Sequence, residues 1–181
     1  MTQDLDRPVL ARPVRVDEIR DGTSGNIETT EAEREAVANM LDLEALSALA
    51  LAYRLDHIGG GRIRLTGTLH ANVTQACVLS LEPLKRGLEV PVEVEFWPEA
   101  LIAQSEANAA ECGGSGLLDW PEAIVDGRID LGPVVYDSLA TSLDPYPKRE
   151  GASFDWSSGE GEQGEGAGGG PFSALATLKR R

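Results

Sequence analysis

A chain of 181 residues, 41% hydrophobic but only 5% aromatic, has room for one domain with a mainly aliphatic core. Its net charge of −14 repels phosphate backbones at long range, which argues against a stand-alone RNA binder and leaves room only for a local patch. Two cysteines without paired spacing give neither a disulfide framework nor a metal site, and no run of about 18 apolar residues offers a membrane span. The start, MTQDLDRP, lacks a basic region and an apolar core, so no signal peptide and a cytoplasmic location are expected.

Residues 1–12 read as a flexible acidic lead, and residues 13–149 as a single domain. Within Pro13–Ile19, Val14, Val16 and Ile19 are spaced among charges and predict a short edge strand, kept short by Pro8 and Pro13. Asp21–Asn26, DGTSGN, reads as a loop. Thr30-x-x-Glu33 is a capping box opening a helix with Ala36, Val37, Met40 and Leu41 on one face. Glu31, Glu33 and Glu35 lie near its positive end and read as a solvated face in preference to a docking face.

Leu46–His57 is predicted as a strand, because Leu49, Leu51, Tyr53 and Leu55 alternate before Gly59-Gly60-Gly61 turns the chain. The central stretch, Arg62 to Trp97, carries the longest alternation. Ile63, Leu65, Leu69, Ala71, Val73, Cys77, Leu79 and Leu81 share one parity, with Gly67 as the site of a bulge or a close backbone approach. After EPLKRG the phase flips, and Leu88, Val90, Val92, Val94 and Phe96 are apolar. Arg62–Leu81 and Leu88–Trp97 are therefore expected to pair as an antiparallel hairpin.

Beyond Pro98 the pattern collapses, and residues 99–118 read as a mobile insertion or short helix with Cys112 exposed. Asp130 caps a second helix in which Leu131, Val135, Leu139 and Leu143 recur every four residues, and Pro145 stops it. Residues 150–170 hold five acids and eight glycines with no Lys or Arg, the composition of a flexible linker. PFSALATLKRR, residues 171–181, then forms a short apolar and basic helix. The expected fold is α+β: an antiparallel meander or hairpin core covered by two helices, with a flexible acidic linker and a short C-terminal helix.

Chemistry is sparse. His57 ends a strand, His70 lies on a polar face, and Gly59–Gly61 lacks the lysine and following helix of a phosphate loop. Cys77 reads as buried packing, not as a reactive thiol. Glu93 and Glu95 share an outward face and are expected to balance Arg or Lys across the sheet. No catalytic constellation, cofactor site or metal site is expected, so the chain reads as a non-enzyme. The candidate partner-binding residues are Phe172, Leu175 and Leu178, a dockable apolar stripe, with Lys179, Arg180 and Arg181.

Three motifs in order, GTLHANVTQACVLSLEP with EVEFWPE, GRIDLGPVVYDSLATSLDPYP, and the terminal PFSALATLKRR, make the chain similar to the YceD family of large ribosomal RNA subunit accumulation proteins. Many members carry Cys-x-x-Cys on the central strand and a further cysteine after the helix, a plausible metal arrangement. Here Cys77 matches the first position, Ser80 stands at the second, and KREGASFD holds no cysteine, so zinc does not carry over. The resemblance implies a ribosome-biogenesis factor supporting accumulation or processing of 23S ribosomal RNA, bound to precursor rRNA or to a ribosomal protein. The acidic charge favours the ribosomal protein. An acidic protein-binding adaptor without an RNA link, and a Cys/His-dependent enzyme, are the alternatives.

Overall fold

The alternation of the central stretch becomes the middle of a five-stranded sheet in the computed structural model, which describes residues 9–112 (backbone only for 108–112), 121–149 and Gly151. In chain order the elements are β1 (Pro13–Arg15), a 3-10 turn (Val16–Glu18), β2 (Thr23–Glu28), α1 (Glu31–Met40), β3 (Ala45–Gly59) and β4 (Arg62–Ala76). β5 (Pro83–Pro98), α2 (Glu99–Cys112), β6 (Glu122–Ile124), β7 (Arg128–Asp130) and α3 (Leu131–Ser142) follow. The large sheet has the order β2-β3-β4-β5-β6, antiparallel except for β6, which lies parallel to β5 at Phe96–Pro98. β1 and β7 form a separate two-stranded sheet. This is the expected α+β architecture. The linker beyond Gly151 and the C-terminal helix lie outside the described residues.

The register places Leu51, Leu69 and Val90 in one row and Leu55, Leu65 and Val94 in another, all towards the helices. The rows between them, such as Ala52–Thr68–Pro91 and Arg54–Thr66–Glu93, face away. α1 packs on β3, and α3 lies against β4 and β5. Leu51, Leu55, Leu65, Leu69 and Phe96 are fully buried with Val37 of α1 and Leu131, Val135 and Leu139 of α3.

Both helix starts follow their side-chain signals. Thr30 Oγ1 accepts from the Glu33 amide at 3.3 Å, and Glu33 Oε2 accepts from the Thr30 amide at 2.8 Å, which completes the capping box. Asp130 accepts from the Gly132 amide at 2.9 Å. Arg12 joins the two caps: its guanidinium reaches Glu33 at 2.8 Å and its amide donates to Asp130 at 2.6 Å. That guanidinium, followed by the Thr30 amide, holds the Glu33 carboxyl down at about 2. The end of the lead is thus part of the domain, with Leu10 2% exposed and its carbonyl against Gly132.

Two expectations are corrected and a third is narrowed. The hairpin does not reverse at Glu82–Gly87; Gly87 pairs with Asn72 inside the ladder, and the chain turns at Cys77–Glu82. The parity exchange belongs to this turn, which ends with Ala76 opposite Pro83. Asp21–Asn26 is not a loop: only Asp21 and Gly22 turn, and Thr23–Glu28 pairs with β3. Its turn-like composition has a packing cause at Gly25, where a Cβ would stand 2.6 Å from the Tyr53 hydroxyl. Residues 99–112 are helical, so of the two readings of that segment the helix holds there.

Gly67 resolves as a close approach, not a bulge. It keeps register with Tyr53 and Val92, while a Cβ there would fall onto the Ala52 carbonyl oxygen and 3.1 Å from the Tyr53 Cα. The irregularities of the β3–β4 ladder lie instead at Leu46/Ala48 and His57/Gly59. Gly67→Ala should therefore destabilise by about 2 kcal/mol through forced backbone displacement, read from the denaturant midpoint. Thr30→Ala should cost about 1 kcal/mol by removing a cap.

Candidate functional site: the Cys77 turn

β4 continues its parity one residue past its last paired position, which sends Cys77 inward at 0% exposure. The next five residues close on themselves. The Leu81 amide donates to the Cys77 carbonyl at 2.8 Å, and the Cys77 amide donates to the Glu82 carbonyl at 2.9 Å. Closing this turn puts Leu81 at φ +60°, a left-handed conformation costing a leucine about 1 kcal/mol. The segment after α3 folds onto it: the Val78 amide donates to the carbonyl of buried Pro147 at 2.9 Å. Two ion pairs tie the same ends, Arg149 to Glu82 at 2.7 Å and Arg86 to Asp144 at 2.9 Å.

The sulfur sits where donors converge. Hydrogen bonding from Ser80, through its hydroxyl and then its amide, followed by the Arg149 and Leu79 amides, holds the thiol down at about 6. Hydrogen bonds to the charged form are the cause. The thiol was expected to be buried packing; it is buried, but its partners are polar and two of them come from Ser80.

Metal chemistry does not fit these residues. Ser80, three residues after Cys77, offers a hydroxyl and no second thiolate, and among the described residues no three His, Cys, Asp or Glu gather for a metal. Neither histidine stands beside the Cys77 sulfur. His70 is seven residues up β4 on the opposite face, exposed and opposite Ala50 and Glu89, a separation of about 23 Å along the strand. His57 Nε2 lies 3.0 Å from the Ile19 carbonyl. Glu93 and Glu95 flank Arg64 at 3.5 and 2.7 Å, the cross-strand charge balance expected of them. Arg64, and after it the Trp97 indole, lowers the Glu95 carboxyl.

Around the turn, Val78 is 49% exposed, while Leu81 and Tyr146 are each 76% exposed. Sequence reasoning missed the participation of Pro147 and Arg149; the DPYP motif signalled a helix stop but not where the chain goes next. Phe172, Leu175, Leu178, Lys179, Arg180 and Arg181 lie outside the described residues, so the structure does not place them.

The thiol value has a consequence with a definite sign. An acid whose folded value, about 6, lies below its ordinary 9.0 stabilises the fold fully above about pH 9. The contribution fades as pH falls and is gone below about 6. Cys77→Ala should therefore lose most stability relative to the parent near pH 9 and least near pH 5, measured by denaturant midpoints across that range. A difference independent of pH would show a thiol that stays neutral.

Residues 65–179 match the family described as large ribosomal RNA subunit accumulation protein YceD. No curated protein and no solved structure matches the chain. The family match begins at Leu65 in β4 and covers the Cys77 turn, β5, α3 and the DPYP segment, so this chain belongs to the YceD family.

Proposed function

We propose that the chain is a non-enzymatic ribosome-biogenesis factor, working in the cytoplasm, that supports accumulation of large-subunit ribosomal RNA by binding precursor rRNA or a ribosomal protein. The observation that carries it is the Cys77 sulfur, the one unusual reactive group among the described residues. It is closed to solvent at the inward end of β4, with His70 seven residues away on the opposite face of the strand. Such a sulfur staples two segments together; it does not attack a substrate. What remains for function is surface, and therefore binding. The net charge of −14 suits a basic ribosomal protein, whereas RNA needs a place where the local sign is reversed.

Removing the gene should lower the ratio of large- to small-subunit ribosomal RNA, and the parent chain should restore it. Cys77→Ser should restore it as well. An unchanged ratio after removal would favour an adaptor without an RNA link. A folded Cys77→Ser chain that fails to restore the ratio would return thiol chemistry to consideration.

A further inference from the structure

We propose that the free edge of β2 is a self-association surface, on which a second copy of this chain adds its own β2 in antiparallel pairing about a two-fold axis at Asn26. The ladder fixes which main-chain groups are available. The Thr29 amide, one residue beyond β2, donates to the Leu49 carbonyl at 3.3 Å, and Glu28 stands opposite Ala50. Hydrogen-bonded and open pairs alternate in an antiparallel ladder, so Gly25 and Ile27 bond to β3 while Ser24, Asn26 and Glu28 turn their amides and carbonyls away from it. All three are exposed, and among the described residues no strand besides β3 pairs with β2. The one described side chain that reaches these groups is Arg12, whose guanidinium lies 3.4 Å from the Glu28 carbonyl and leaves that oxygen a second lone pair.

Any strand can complete a row of unpaired main-chain groups, so the side chains decide which strand fits. Thr23–Ile27 holds no charge and no proline, and so lacks the usual devices against edge pairing. The net charge of −14 is thus absent from the centre of the contact, and repulsion between the remainders of two copies is screened beyond about 10 Å. Only outward residues can exchange hydrogen bonds, which restricts the register. With Asn26 opposite its own copy, Ser24 faces the partner's Glu28 on either side and every outward group is used. A two-fold at Gly25 would instead set Glu28 against Gly22, whose amide is committed to the Leu55 carbonyl. A two-fold at Ile27 would set Ser24 against Thr30, whose amide is committed to the Glu33 carboxylate. In the Asn26 register the side chains also match. The Ser24 hydroxyl can donate to the partner's Glu28, so that carboxylate meets no second one. Asn26 Nδ2 already donates to Glu28 at 3.1 Å and keeps its other hydrogen and its oxygen for the second Asn26. An extended basic segment of another protein would find a single carboxylate along this edge. The two-fold closes on itself, so the association stops at a dimer with one continuous sheet.

The test is sedimentation velocity of the full chain over a concentration series. The parent should form a dimer as concentration rises. Asn26→Pro removes the amide hydrogen at the two-fold, on the side away from β3, and should leave a monomer with nearly the parent's melting temperature. Ser24→Glu sets carboxylates opposite one another twice per dimer, by symmetry, and should weaken the dimer about tenfold. Adding Glu28→Lys to Ser24→Glu should restore it, because each new lysine then faces a new glutamate. If Asn26→Pro lowers the melting temperature, the Ser24→Glu variant and its restoration decide alone. A parent that stays monomeric at every concentration overturns the proposal. So does a dimer that both Asn26→Pro and Ser24→Glu leave intact, which puts the interface elsewhere. A monomeric parent whose Asn26 amide is protected from hydrogen exchange overturns it as well, and gives the edge to another part of the same chain.

Discussion

The register of β3, β4 and β5 is the constraint on which the rest of the molecule depends. A slip of one residue in either ladder would turn Leu65 and Leu69 to solvent and bring Thr66, Thr68 and Arg64 beneath the helices. Each fully buried leucine contributes about 2 kcal/mol, so the slipped sheet loses more than a small domain's whole stability. Two turns fix the register at opposite ends. Gly59, Gly60 and Gly61, all at positive φ, reverse the chain into β4, and the Cys77 turn reverses it into β5. Only with the inward rows aligned do α1 and α3 find an apolar surface, and Arg12 then ties their first turns together.

The second of those turns does more than reverse direction. Its strained Leu81 is held by its own amide on the Cys77 carbonyl and by the Cys77 amide on the Glu82 carbonyl, while the Val78 amide reaches Pro147, which comes from beyond α3. Two ion pairs, Arg149 with Glu82 and Arg86 with Asp144, close the same ends. The same clasp decides what reaches the surface. With Pro147 turned in and Tyr146 turned out, the segment after α3 is held by its buried proline and leaves its aromatic ring in solvent.

The sequence carried the local signals clearly. Thr30 and Glu33, Asp130 with its four-residue stripe, and the parity of Ile63 to Val73 all act within a few residues, and each element stands where its pattern put it. What escaped were features set across the chain. Gly87 and Pro83 look like turn residues, yet they lie in β5 because Asn72 and Ala76 hold them in the ladder. Thr23–Glu28 hides its strand because Gly25 answers to the Tyr53 ring and not to its neighbours. At the candidate site Cys77 was visible and its inward direction legible, but its partner Arg149 is 72 residues later in sequence and no local pattern announces it.

The sheet also has an unfinished side. Among the described residues, β6 pairs with β5 only at Phe96, Trp97 and Pro98, so the outer edge from Pro83 to Glu95 has no strand beside it. An edge that long invites a second chain to add itself. Pro91 sits near its middle with no amide hydrogen to offer, and Glu89 and Glu93 flank it with exposed carboxylates. A second copy, carrying the same charges on the same edge, would be repelled before its main chain could pair. The proline and the two glutamates thus disfavour the addition of a further strand along this edge.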